Sequence, residues 1–255
     1  MIVYLLAAAC AIGVVLIASR MVLRLRFGTD DADPDGPTSS HTGAMLSALF
    51  LLTFAIAIVV PWTSADAARS NTYTESQAVV EAYWAAGRLP APDAERTRAE
   101  LRDYVRVVRG PEWRLMAHGR MSPDGSARLD RIRREITALK AAGDESRDAR
   151  AAVLDHLTEI SAARHQRAMD ARTTPPRALL VMTLLTGLVI ILLPFLVGAR
   201  PRGMALVPLA LMSGLLAVGM YLTIDIAHVF TGALAVHPDA FTSVQAELLR
   251  ITRGG

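Results

Sequence analysis

The chain has 255 residues, of which 52% are hydrophobic and 20% charged, with a formal net charge of +3. Its mean hydropathy is positive, too apolar for an ordinary soluble protein, and so small a charge requires no polyanionic partner, so no nucleic-acid binding is expected. Cys10 is the one cysteine, which excludes an intrachain disulfide, a cysteine-based zinc site and a Cys-ligated iron–sulfur cluster.

Four windows are long and apolar enough to cross about 30 Å of hydrocarbon as helices rising about 1.5 Å per residue. They are Met1 to Ser19, Gly43 to Ser64, Ala178 to Val197 and Gly203 to Ile224. A lone segment in lipid must satisfy its backbone internally, so each window predicts a helix. The first has no basic residues ahead of it and stays apolar through Ile17, which predicts an uncleaved membrane helix rather than a secretory signal. The fold class expected is all-α, a membrane protein with four transmembrane helices in two pairs and an inserted helical bundle. Its parts are a first pair with a short acidic loop over 1–64, a polar bundle over 65–177, a second pair over 178–225 and a tail over 226–255.

After the first window, DDADPDG places Asp31, Asp33 and Asp35 at alternate positions before Gly36, as an EF-hand calcium loop begins. Such a loop needs a bidentate Glu at its twelfth position. Counting from Asp31, that position is Thr42, so the stretch reads as an acidic turn between two membrane helices and no metal is assigned. Arg20, Arg24 and Arg26 precede it, and Arg200 and Arg202 separate the third and fourth windows. Basic residues in short loops mark the cytoplasmic side, which puts the N-terminus and the bundle outside. Arg164, Arg167, Arg172 and Arg177 approach the third window from the bundle side and oppose that orientation, but long loops weigh little.

In the second window Phe50, Phe54 and Ile58 follow one another at four-residue steps and share a helix face. They are the candidate neck of an ion pathway, and the competing reading is a stripe packed on lipid or a neighbouring helix. The four windows hold no Asp, Glu, Lys, Arg or His, which argues against a proton-driven pump and leaves pores gated by apolar constrictions. Gly187, Gly214 and Gly219 would let the later helices approach closely.

The middle region has helical spacing throughout. Leu101, Tyr104, Val105 and Val108 form one apolar face, Leu129, Ile132, Ile136 and Leu139 a second, and Val153, Leu157 and Ile160 a third. Breaks are expected at Leu89 to Asp93, Gly110 to Glu112, Ser122 to Gly125 and Ala142 to Ser146. The result is a bundle of about four helices. Its interleaved acidic and basic residues read as surface ion pairs. His118, His156, His165 and His237 lack metal-ligand spacing, and no nucleophile or phosphate-loop motif occurs. No catalytic residue, cofactor or enzyme activity is therefore expected. The abundance of arginine over lysine suggests a bacterial source, hence a bacterial plasma membrane.

Several strings together resemble the bestrophin-like family of bacterial and plant membrane proteins, a domain of unknown function. They are HTG at His41 to Gly43, Glu75 and Glu81 before Tyr83, LPAP at Leu89 to Pro92, and Tyr104. Glu112 with Trp113, Met116, Gly119, the run RHQRAMDARTTPPRALL and FTGALAVHPDAF at Phe230 to Phe241 complete the set. Two features depart from the pattern: Val229 stands where proline is expected, and Asp225 is displaced relative to Gly232. Bestrophins are oligomeric anion channels with two helix pairs around a cytosolic middle region, so the resemblance implies a lipid bilayer and a homo-oligomer as partners. It also opposes the outward bundle read from the arginines. Two functions stand open: an oligomeric anion-channel-like protein, or a membrane-anchored protein that senses or binds a partner through its bundle.

Overall fold

The computed structural model describes Gly13, Ile17, Arg20 and residues 37–140, 143–172, 177–196, 206–226, 228–232 and 234–254. Among these the regular elements are helices and no strand occurs, so the chain is all-α. They are α1 (Pro37–Ala86), α2 (Asp93–Val107), α3 (Trp113–Met116), α4 (Pro123–Ala138), α5 (Asp144–Arg172), α6 (Arg177–Leu196), α7 (Leu206–Ile226) and α8 (Asp239–Gly254). The first expected span, Cys10, the loop with Asp31, Asp33 and Asp35, and the short connection holding Arg200 and Arg202 lie outside the described residues, Gly13 and Ile17 excepted. The chain divides into two compact units, Met1–Trp62 with Thr174–Ala227 and Thr63–Thr173 with His228–Gly255.

The first unit holds the start of α1 together with α6 and α7, which cover most of the second, third and fourth apolar windows. Most of its described buried residues are small, Ala57 on α1, Thr183 and Gly187 on α6, Ser213 and Gly214 on α7, with Pro61 and Ile226 the larger exceptions. Thr223 is buried too, and its hydroxyl donates to the Gly219 carbonyl at 3.0 Å. Large apolar side chains lie outside this seam, with Leu52 and Val59 on α1, Leu184 and Leu188 on α6, and Leu211 and Leu215 on α7 all exposed. Among the described residues no helix is long and apolar enough to cross a membrane. Side chains at both ends of α6 and at the start of α7 lie outside the described set, so the membrane crossing expected of these windows rests on the sequence.

The second unit is built the other way round. Its core takes the anticipated faces: Leu101, Tyr104, Val105 and Val108 from α2 and the turn after it, Leu129, Ile132 and Ile136 from α4, and Val153, Leu157 and Ile160 from α5. Each such aliphatic side chain contributes about 1.5–3 kcal/mol on leaving water. Helix α4 starts where its sequence says it should: Ser122 is the N-cap, its hydroxyl accepts the Asp124 N–H at 3.2 Å, and Pro123 occupies the first turn.

Two expectations need correction. Gly110 to Glu112 does not end a helix, because the chain continues from α2 into α3 through one wide π turn, Val108–Glu112. Pro111 has no N–H to donate and its ring crowds the carbonyl four residues back, so the helix widens instead of stopping. The segment after residue 226, set apart above as a tail, packs into this unit's core through Phe241, Val244 and Leu248 of α8. The Tyr83 hydroxyl lies 2.7 Å from that of Thr252, which ties α8 to α1.

Candidate functional site

The surface-pair reading of the bundle's charges fails at its centre. Glu75, Glu112 and Arg167 are fully buried, and Arg164 is nearly so. They come from three places: Glu75 from α1, Glu112 from the end of the π turn, and the two arginines from one face of α5, three residues apart. The Arg167 Nε donates to Glu75 Oε2 at 2.6 Å and its Nη2 to Glu75 Oε1 at 2.9 Å, a bidentate fork. The same Nη2 also donates to Glu112 Oε1 at 2.8 Å, while Nη1 reaches the Met116 sulfur at 2.8 Å. Arg164 forms the second fork on Glu112: its Nη1 donates to Oε1 and its Nη2 to Oε2 at 2.6 Å, with a further bond to the Ser122 carbonyl at 2.8 Å. The Tyr104 hydroxyl closes the cluster by donating to Glu75 Oε1 at 2.5 Å.

Two carboxylates against two guanidiniums leave the cluster neutral, which is what allows four charges to sit out of water. Aromatic faces line it: the Arg167 guanidinium carbon lies 5.5 Å from the Phe241 ring centre and 5.9 Å from that of Trp113. Space is cut to fit as well. A Cβ added at Gly125 would stand 2.6 Å from the Arg164 guanidinium, so the first turn of α4 passes close only because it carries glycine.

Burial pushes the Tyr104 hydroxyl well above the usual tyrosine range, and the neighbouring Glu75 carboxylate pushes the same way. For Arg167, burial opposes the charge, but Glu75 outweighs it and the group stays above its ordinary value. Arg164 behaves likewise, with burial opposing and the Glu112 carboxylate prevailing. A neutral phenol and two permanent cations leave no proton poised to move near neutral pH, so the cluster is a fixed ionic lock joining α1, α2, the π turn and α5. Among the described residues, the buried side-chain polar atom without a partner is Gln245 Oε1 on α8, outside this lock.

The candidate neck residues lie on α1, within the first unit. The Phe50 side chain lies outside the described set, and Phe54 and Ile58 are half-buried. The Phe54 ring sits against α7: its Cζ is 2.5 Å from where a Gly219 Cβ would be. The histidines do not converge. His118 Nδ1 is 3.3 Å from the Arg114 carbonyl, and His156 Nδ1 is 2.9 Å from Glu159. No group of metal-ligating side chains occurs among the described residues.

The burial of these charges, though not their pairing, is legible in the spacing. On α5 the buried residues Val153, Leu157, Ile160, Arg164 and Arg167 follow steps of four, three, four and three, one continuous inward stripe that ends in arginines. On α1, Ala68, Thr72, Glu75, Val79 and Tyr83 form the same kind of stripe with a glutamate in it. A charge on the apolar stripe, rather than opposite it, is the signal.

The bestrophin-like domain matches residues 4–241 of this chain. Among solved structures, the chain is similar to the crystal structure of a bacterial bestrophin homologue from Klebsiella pneumoniae in a singly substituted form, at 17% identity and a TM-score of 0.73, covering 96% of this chain and 99% of that one. No curated protein matches. At that identity the structural likeness shows a shared fold, while the family follows from the domain match over most of the sequence, including Glu75, Tyr104, Glu112, Arg164 and Arg167: the chain belongs to the bestrophin-like family.

Proposed function

We propose that this is a multi-pass protein of the bacterial plasma membrane that assembles as a homo-oligomer around an anion pathway. Four helices in two pairs cross the bilayer, the N-terminus and the bundle lie outside, and the helix from Gly43 to Ser64 lines the pathway with Phe50, Phe54 and Ile58 as its neck. The observation that carries this reading is the inside-out composition of the first unit. Gly187, Ser213 and Gly214 are buried while Leu52, Leu184 and Leu211 are exposed, an arrangement suited to lipid and to neighbouring protomers and unsuited to water. Family membership and fold support its oligomeric, channel-like part, while the outward bundle rests on the arginines of the short loops.

Purified protein reconstituted in liposomes should pass chloride, and Phe54→Ala should change the flux. Inserted protein with no flux refutes the channel, and unchanged flux in Phe54→Ala refutes the neck. A cysteine placed at Ser146 in a Cys10→Ala background should react with an impermeant reagent from outside the cell; labelling only after the membrane is broken reverses the orientation.

A further inference from the structure

The bundle carries a cleft of about 400 Å³ between α4 and α5 that shares only Arg164 with the ionic lock. This falls within the range of small-molecule sites, which recur between the helices of bundles. Arg164 forms its floor, but that guanidinium is committed to Glu112 and the Ser122 carbonyl. Arg133, in the α4 wall, is engaged with the Leu157 carbonyl and Ser161, each at 3.3 Å. Arg172 and His165, in the α5 wall, make no hydrogen bond or ion pair among the described residues. Between them α5 offers an apolar surface, with Met169 55% exposed and Leu129 facing it from α4.

We infer that this cleft binds a small organic monoanion, a carboxylate attached to a compact apolar body. The Arg172 fork takes the carboxylate in bidentate fashion, as guanidinium and carboxylate geometries match. The body lies over Met169, whose exposed methyl and methylene groups leave water when it docks, with the buried Leu129 behind it. Asp130 in the α4 wall repels a second negative charge, which favours a monocarboxylate over a phosphate. The inference does not depend on ion conduction, because binding is read directly.

The test uses the full chain in phosphatidylcholine nanodiscs with 4-fluorobenzoate followed by fluorine NMR. Saturable binding is expected. Arg172→Ala should weaken it at least about tenfold, the usual consequence of losing a charge-assisted bond, and Met169→Ala should weaken it several-fold. Arg147→Ala, an exposed arginine outside the cleft, should leave it unchanged. 4-Fluorobenzyl alcohol, of the same shape without charge, should bind at least about tenfold more weakly. The inference is overturned by absence of saturable binding, by equal binding in Arg172→Ala and Arg147→Ala, or by equal binding of the alcohol. Displacement by inorganic phosphate as effective as by benzoate also overturns it, since the cleft would then be an inorganic-anion site.

Discussion

The two units place opposite chemistry at their centres. In the first, glycine, serine and threonine are inside and leucine and valine outside; in the second, leucine, isoleucine and valine are inside, four charges sit among them, and arginine and glutamate cover the surface. Small residues let helix backbones approach where the surroundings are as apolar as the side chains and burial of leucine gains nothing. Large aliphatic residues do the same work in water, where their burial is the driving force. One chain thus carries two packing rules, and α1, which runs from Pro37 to Ala86, belongs to both units.

The sharpest way to break the contrast is Arg167→Met. It keeps an unbranched apolar stem, removes the charge and leaves Glu75 buried with only Tyr104 as donor. Loss of one partner of a buried pair costs about 3–5 kcal/mol, so thermal unfolding followed by circular dichroism should shift strongly downward. Adding Glu75→Gln should recover part of the loss, because the orphaned charge goes with it. If Arg167→Met melts like the parent, the charges are incidental to the bundle and the contrast between the units reduces to their surfaces.

The corresponding lesion in the first unit is steric. At Gly219 a Cβ would meet the Phe54 ring at 2.5 Å, so Gly219→Ala should cost about 1–3 kcal/mol by overpacking. The variant Phe54→Ala/Gly219→Ala should regain most of it, a coupling that a double-mutant cycle in the same detergent reads directly. Additive losses would mean that the ring does not depend on the glycine.

Helical periods made the second unit's core legible, because Leu129, Ile132 and Ile136, or Val153, Leu157 and Ile160, can face inward together only on helices. The lock was harder to see. Pairing of Glu75 with Arg167 spans 92 positions and that of Glu112 with Arg164 spans 52, and no local period reports a contact between elements that meet only after folding. The π turn was missed for a local reason: Gly110 and Pro111 carry the chemistry of a helix end, and the surrounding packing overrode it. Phe54 shows a different limit, since four-residue spacing fixes its face on α1 but not which neighbour that face meets.

Tyr104→Phe is a milder cut into the same lock. It removes one hydrogen bond to a carboxylate that keeps both of its bonds to Arg167, and should cost about 2 kcal/mol at neutral pH. Its sign with pH is fixed by the raised folded value. Below about pH 10 the phenol is neutral in both folded and unfolded chains, so stability does not change there on its account. Above that, the unfolded tyrosine ionises first and stability falls until the folded group follows. Tyr104→Phe should therefore flatten part of the alkaline decline, and parallel declines in the two proteins would show that the phenol does not contribute.

The smallest effect belongs to the bundle's surface, where Arg147 Nη2 lies 2.7 Å from Asp144 Oδ1. The short distance does not make the pair strong: Asp144 is 91% exposed and Arg147 65%, so water screens the attraction and both side chains lose freedom in forming it. Arg147→Ala should shift stability by less than about 0.5 kcal/mol, and added salt should erase even that. Arg147 and Arg167 stand on the same helix, one in a single exposed contact with its own helix and the other in a buried fork that joins separate elements. A loss at Arg147 approaching that of Arg167→Met would break this explanation, because burial and the bidentate fork could no longer be what set the two pairs apart.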